Sequence, residues 1–136
     1  MKMVLCSVFF WICFLIIAII NGAFREFVMI KMLRMDILHA NQWSCLTGII
    51  FWTTLLSLYW KKLAIKSFTQ ALSVGTGWFF ATALFETFII DRNLTWSEVM
   101  LTYDFSSGNY WGLVLLWLGL MPIAIYTFLL IRIRKY

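Results

Sequence analysis

The chain has 136 residues, of which 63% are hydrophobic and only 12% charged, with thirteen Phe, eight Trp and five Tyr. Average chains are about 45–50% apolar and about 25% charged, and a globule of this length cannot hide such an excess from water. Disordered, collagen-like and disulfide-scaffold classes are excluded, and the composition calls for lipid as solvent. The formal net charge is +5. Its basic residues flank apolar runs, where they report orientation and contact with anionic headgroups rather than nucleic acid.

A helix needs about 20 apolar residues to cross a bilayer, and four runs qualify. The first covers residues 3–20 and stops at Asn21-Gly22. It reads as a retained signal-anchor, because its apolar core exceeds the roughly 7–15 residues of a cleaved signal. The second covers residues 43–60 and stops at Lys61-Lys62. The third covers 71–90 and stops at Asp91-Arg92, with Glu86 inside it. The fourth covers 110–131 and stops at Arg132, Arg134 and Lys135. No repeat or low-complexity linker divides the chain. The expected fold is therefore one all-α domain, a four-helix transmembrane bundle over residues 1–136.

With four spans both termini share a side. That side carries Lys2, Lys61, Lys62, Lys66, Arg132, Arg134 and Lys135, against Arg25, Lys31, Arg34 and Arg92 on the other. The excess assigns both termini to the cytoplasm and the first and third loops to the exterior. Trp43, Trp60, Trp96 and Trp111 fall near span ends, as an interfacial aromatic belt requires.

The first loop, residues 23–41, is apolar despite its charges and predicts a helix continuing from the first span or lying at the interface. Within it Met29, Met32, Met35 and His39 recur at helical spacing. Thioethers and an imidazole on one stripe are soft ligands suited to copper(I); hydrophobic packing accounts for the same spacing. In the third loop Thr95-Trp96-Ser97-Glu98 has capping-box spacing. It predicts a short interfacial helix from Trp96 to about Tyr103, ending before Ser106-Ser107-Gly108. Cys6 and Cys13 are seven residues apart, about 10 Å along a helix, too far for a disulfide.

Glu86 carries the most chemical information. A carboxylate within a span costs roughly 2.5–3.5 kcal/mol and belongs in the bundle interior with a partner. Ala71, Gly75, Thr82 and Glu86 share one helical face, a small-residue stripe suited to packing against another span. The nearest cation is Arg25, which predicts an Arg25–Glu86 ion pair or shared network at the outer end of the bundle. The second and fourth spans carry no ionisable residue in their interiors, so no polar line crosses the membrane.

One resemblance follows from these residues. Arg25-Glu26 after the first span, Phe85-Glu86 ending the third, and the W-x6-Y-D-x3-G-x2-W layout of Trp96, Tyr103, Asp104, Gly108 and Trp111 resemble a family of small four-helix bacterial inner-membrane proteins of unknown function. Ala40-Asn41-Gln42-Trp43-Ser44 is similar to that family's second-span opening. Departures are the lack of a proline in the first loop and Asn41 where a His is expected. The resemblance implies a bacterial inner-membrane location and marks Arg25, Glu26, Glu86, Trp96, Tyr103, Asp104, Gly108 and Trp111 as a polar cluster, without an activity.

Three functional classes fit. The leading one is a non-enzymatic homo-oligomer or accessory subunit of an envelope complex, with membrane lipid and another membrane protein as partners and no cofactor. The second is transport of a small solute or ion through an oligomer, with Glu86 as the key carboxyl. The third is an outward-facing metal- or lipid-handling protein working through Tyr103 and Asp104. No nucleophile elbow, phosphate loop or zinc spacing supports turnover.

Overall fold

The computed structural model describes residues 2–90 and 93–133, and the regular structure within them is helical. Helix α1 (Lys2–Phe24) runs on into a π-helical segment, Arg25–Met32. Helix α2 spans Ile37–Leu63. Helix α3 (Phe68–Phe85) widens in the same way into π-helix at Glu86–Ile90. Helix α4 is the short Trp96–Thr102, and a 3-10 turn at Phe105–Ser107 leads to α5, Trp111–Ile133. Asp91, Arg92, Arg134 and Lys135, which bound the third and fourth runs in the sequence, lie outside the described residues.

Three helices are long and apolar enough to cross a membrane: Lys2–Met32, Phe68–Ile89 and Trp111–Arg132. That fits a membrane protein. The second run falls short of this standard, although α2 has 27 residues. Its polar content is the reason, with Gln42, Ser44, Thr47, Thr53, Thr54 and Ser57 before the terminal Lys61-Lys62. Several of these groups are spent inside the bundle. Thr53 accepts from the Trp117 indole at 2.9 Å and donates to the Ile49 carbonyl at 2.7 Å.

The first span does not stop at Asn21-Gly22. The Asn21 amide donates to the Ser44 carbonyl and hydroxyl on α2, at 2.7 and 3.0 Å, and accepts from Thr47 at 3.1 Å. An asparagine whose polar groups are satisfied sideways has no need to end the helix. The winding continues to Met32 and breaks where Arg34 takes a positive φ of 53°. Asp36 then caps α2 by accepting from the amides of Leu38 and His39. This break separates His39 from the methionines. Met29 and Met32 lie on the π segment, Met35 in the linker, and His39 in the first turn of α2, where its Nδ1 is 3.4 Å from Asp36. The continuous stripe expected of Met29, Met32, Met35 and His39 is thus not formed on one helix.

The small-residue stripe on α3 does pack. Ala71, Gly75 and Thr82 are buried, and α3 lies along α5. A Cβ on Gly75 collides with the Gly119 carbonyl oxygen of α5 and sits 3.5 Å from the Pro122 ring. Only glycine allows this backbone approach, the membrane counterpart of small-xxx-small packing. Aromatic rings fill the rest of the centre. Phe14 meets Trp78 edge-to-face at 5.1 Å and Trp52 at 6.0 Å, above Leu56, Leu118 and Met121. Outward faces are apolar and open to lipid, as at Phe9 (63% exposed) and Phe128 (64%).

Gly75→Ala is expected to destabilise the protein by about 1–3 kcal/mol or more, through forced separation of α3 and α5. Gly77→Ala, two residues on and facing the other side of the helix with nothing within 4 Å of its added Cβ, is expected to be neutral. Thermal unfolding of the two variants in one detergent checks the contrast.

Candidate functional site

The two π-helical segments begin at Arg25 and Glu86, the charged residues expected at the mouth. A π turn inserts one residue into the helical repeat and is found most often at functional sites. Here both turns face a single cavity of about 420 Å³. Helix α1 contributes Asn21, Gly22 and Arg25; α2 contributes Asn41, Ser44, Cys45 and Trp52; α3 and its π turn contribute Phe85 and Glu86. Thr102, Asn109 and Trp111 close the remaining side. Trp52 and Val114 line the deep end, and beyond them lies the apolar core.

Arg25 and Glu86 are both half-buried. The ion pairs among the described residues are Lys31–Glu26 at 3.7 Å and His39–Asp36 at 3.4 Å, and Arg25–Glu86 is not one of them. Both line the one cavity where the sequence places an ion pair or a shared network, and Glu86 has interactions of its own. The Trp11 ring of α1 stands edge-on to Phe85 of α3 at 6.3 Å. Below that contact α1 and α3 are tied by Trp11 Nε1 donating to Thr82 at 3.0 Å and Trp78 Nε1 donating to the Ser7 carbonyl at 3.1 Å.

Those indole bonds make an exception visible. Trp11, Trp78 and Trp117 each spend the indole N–H on a neighbouring helix. The indole nitrogens of Trp52 and Trp111 are shielded from solvent and have no acceptor among the described residues. Both residues are among those lining the cavity, and Trp52 as a whole is only 3% exposed. A buried donor left without an acceptor costs about 1–3 kcal/mol.

The remaining marked residues divide by role. Glu26 is not among the cavity's lining residues and pairs with Lys31 on an exposed face. Trp96 is 68% exposed, a position suited to an interfacial ring. Tyr103 ends α4, its amide donating to the Met100 carbonyl at 3.1 Å. Asp104 caps the 3-10 turn by accepting from the amide and hydroxyl of Ser106. Gly108 takes a left-handed φ of 79°, which L side chains rarely adopt, and its carbonyl accepts from Gln42 of α2 at 3.3 Å. Tyr103, Asp104 and Gly108 thus shape the third loop and fasten it to α2, while Arg25, Glu86 and Trp111 line the cavity. Asn21, Asn41, Ser44 and Trp52 complete the lining without having been marked as site residues. The signal for Asn21 is its place four residues before Arg25, on the same helical face. Among the described residues no group of three or more His, Cys, Asp or Glu side chains is placed to hold a metal.

The capping box expected at Thr95–Glu98 is present. The Thr95 amide and hydroxyl both donate to Glu98 Oε2 at 2.7 Å. No protein-family model, curated protein or solved structure matches the chain.

Asn21→Leu removes a group that both donates to Ser44 and accepts from Thr47. It is expected to cost about 1–3 kcal/mol in thermal stability by stranding those partners, whereas Asn93→Leu in the exposed third loop is expected to be neutral.

The loop carries its own pH dependence. The Thr95 hydroxyl and amide hold the Glu98 carboxyl below its ordinary range, and Ser106 does the same to Asp104. A depressed carboxyl stabilises the fold above its ordinary pKa, and that contribution disappears as pH falls through the folded-state value. Below about pH 4 hydrogen-exchange protection of the Val99–Thr102 amides is expected to fall, and Glu98→Gln to remove most of this dependence.

Proposed function

We propose that this chain is a four-span integral protein of the bacterial inner membrane, with both termini cytoplasmic and α4 at the outer interface. In this reading it works by binding rather than by turnover. The outward cavity holds a small polar ligand, and the protein serves as a homo-oligomeric or accessory subunit of an envelope complex. This groups it with the small four-helix membrane proteins its sequence resembles.

The observation that carries the binding reading is the pair of buried indole donors, Trp52 and Trp111, in one cavity with the Arg25 guanidinium. Membrane proteins satisfy polar groups internally because lipid offers no alternative partner, and a ligand with acceptor atoms supplies what these donors lack. Cavity size agrees, since small-molecule pockets run about 300–1,000 Å³. The apolar core beneath Trp52 and Val114 favours a one-sided site over a conducting path. Support for α2 as the fourth span comes from its lipid-compatible outer face, where Ile50 (53%), Phe51 (57%) and Leu58 (74%) are exposed, and from its packing against α1 and α5. The cation count on the terminal side gives the orientation.

Native mass spectrometry of protein extracted gently from its own membrane tests the reading. Wild type is expected to carry a non-covalent adduct that Arg25→Ala loses while Lys31→Ala, on the exposed face, retains it. Wild type and Arg25→Ala with identical bare masses overturn it.

A further inference from the structure

We infer that the groove between α1 and α2 holds one chain of an anionic glycerophospholipid whose phosphate lies at Lys61 and Lys62. This site stands whatever the Arg25 cavity binds.

The hydrocarbon part of the lipid follows from the groove. Its volume is about 630 Å³, and its mostly apolar walls include Ile17 and Ile20 of α1 and Phe51 and Leu58 of α2. Asn21 and Thr47 border it too, but they spend polar atoms on each other, with the Thr47 hydroxyl donating to Asn21 at 3.1 Å. Ile20, Phe51 and Leu58 are exposed, so the groove opens sideways to lipid. An alkyl chain lying in it touches two helices at once, and the many small dispersion contacts add up.

The charged part follows from register along α2. Residues three and four apart are neighbours on a helix surface, which sets Lys61 and Lys62 beside Leu58 at the end of the groove. The helix bends at Tyr59, with φ −106° and ψ 15°, yet keeps its phase. Leu56 and Leu63, two turns apart on either side of the bend, are both 0% exposed. Lys61 and Lys62 are exposed, and so is Ser57, one turn before Lys61. Read from the lysines inward, α2 offers ammonium, then hydroxyl, then hydrocarbon. Phosphate, ester and acyl chain follow one another in the same order. From Lys61 to Phe51 the helix rises about 15 Å, half of the roughly 30 Å hydrocarbon core, which is the depth of one leaflet.

Charge selects an anionic lipid over other occupants. Helices α1, α2, α3 and α5 contain no Asp or Glu. Lys2, Lys66 and Arg132 share the bundle end with Lys61 and Lys62, and the ion pairs among the described residues include none of the five. A phosphate supplies the missing counter-charge, as at basic sites between membrane helices. A second copy seated on the same groove about a two-fold axis instead sets Lys61 and Lys62 against their own equivalents, like charge on like.

The test places the full chain in nanodiscs of equal parts phosphatidylglycerol, phosphatidylcholine and phosphatidylethanolamine, with native mass spectrometry reading retained lipid. Both leaflets have one composition, so the result is independent of orientation. Wild type is expected to retain phosphatidylglycerol about tenfold over phosphatidylcholine. Lys61→Gln combined with Lys62→Gln is expected to lose that preference, and Lys61→Arg combined with Lys62→Arg to keep it. Leu58→Trp, which fills the groove beside the lysines, is expected to lower retention of every lipid several-fold with an unchanged far-ultraviolet spectrum. Lys31→Gln, which removes a cation paired with Glu26 outside the groove, is expected to behave as wild type. Equal retention of the three lipids by wild type, or a preference that survives both glutamines, overturns the site. A dimer that Leu58→Trp abolishes, with no lipid retained, overturns it in favour of a second copy.

Discussion

Inside a bilayer a polar hydrogen has no water to fall back on, and this constraint organises the bundle. Three indoles reach across to neighbouring helices, Trp11 to Thr82, Trp78 to the Ser7 carbonyl and Trp117 to Thr53. Asn21 is held between α1 and α2 by Ser44 and Thr47. Each of these bonds is long-range in sequence, so each fixes the relative height and rotation of two helices. Van der Waals packing alone cannot do this between smooth apolar surfaces. With the Gly75–Gly119 backbone contact setting the α3–α5 distance, the bundle has little freedom left. The cavity is where the rule lapses, since Trp52 and Trp111 share a wall and have no acceptor among the described residues.

Much of the fold was legible because the bilayer writes strongly on sequence. Long apolar runs ended by charges gave the helices, and α3 and α5 lie where the third and fourth runs do. The Thr95–Glu98 spacing gave α4 within a residue of its end, since a capping box depends only on local geometry. The second run was harder. Its Ser and Thr side chains lower its hydropathy, yet Ser44, Thr47 and Thr53 find partners inside the bundle. Hydropathy counts polar atoms without knowing which are satisfied. Asn21-Gly22 reads as the end of the first apolar run, but Asn21 is bonded to α2, and the winding goes on to Met32 as the apolar first loop predicts.

The site was legible in its charges and opaque in its neutral groups. Arg25 and Glu86 stood out because a charge beside or within an apolar run is costly, and both line the cavity. Their relative placement depends on how α1 and α3 are docked, through Trp11 on Phe85 and Thr82, which no periodicity reports. Tyr103, Asp104 and Gly108 share a motif with Trp111 but not its position, for motif spacing does not distinguish a residue that shapes a loop from one that lines a cavity. Nothing in the sequence singles out Trp52, which lies inside an apolar run. Its separate interest lies in a nitrogen without a partner, which is a property of the assembled fold.

The paired π segments carry a consequence for how this architecture tolerates change in length. An i→i+5 bond encloses one residue more than an i→i+4 bond. Deleting a single position within Arg25–Met32 or Glu86–Ile90 therefore returns the backbone to ordinary winding without shortening the helix below it. The π turn absorbs that residue, so its loss keeps the phase of the flanking helix, whereas the same deletion in ordinary α-helix swings every later side chain by about a quarter turn, given 3.6 residues per turn. Gain or loss of one residue at either place is taken up locally while the aromatic centre stays intact. Two such adjustable joints, one on each side of the opening, let the cavity end vary in length independently of the aromatic centre.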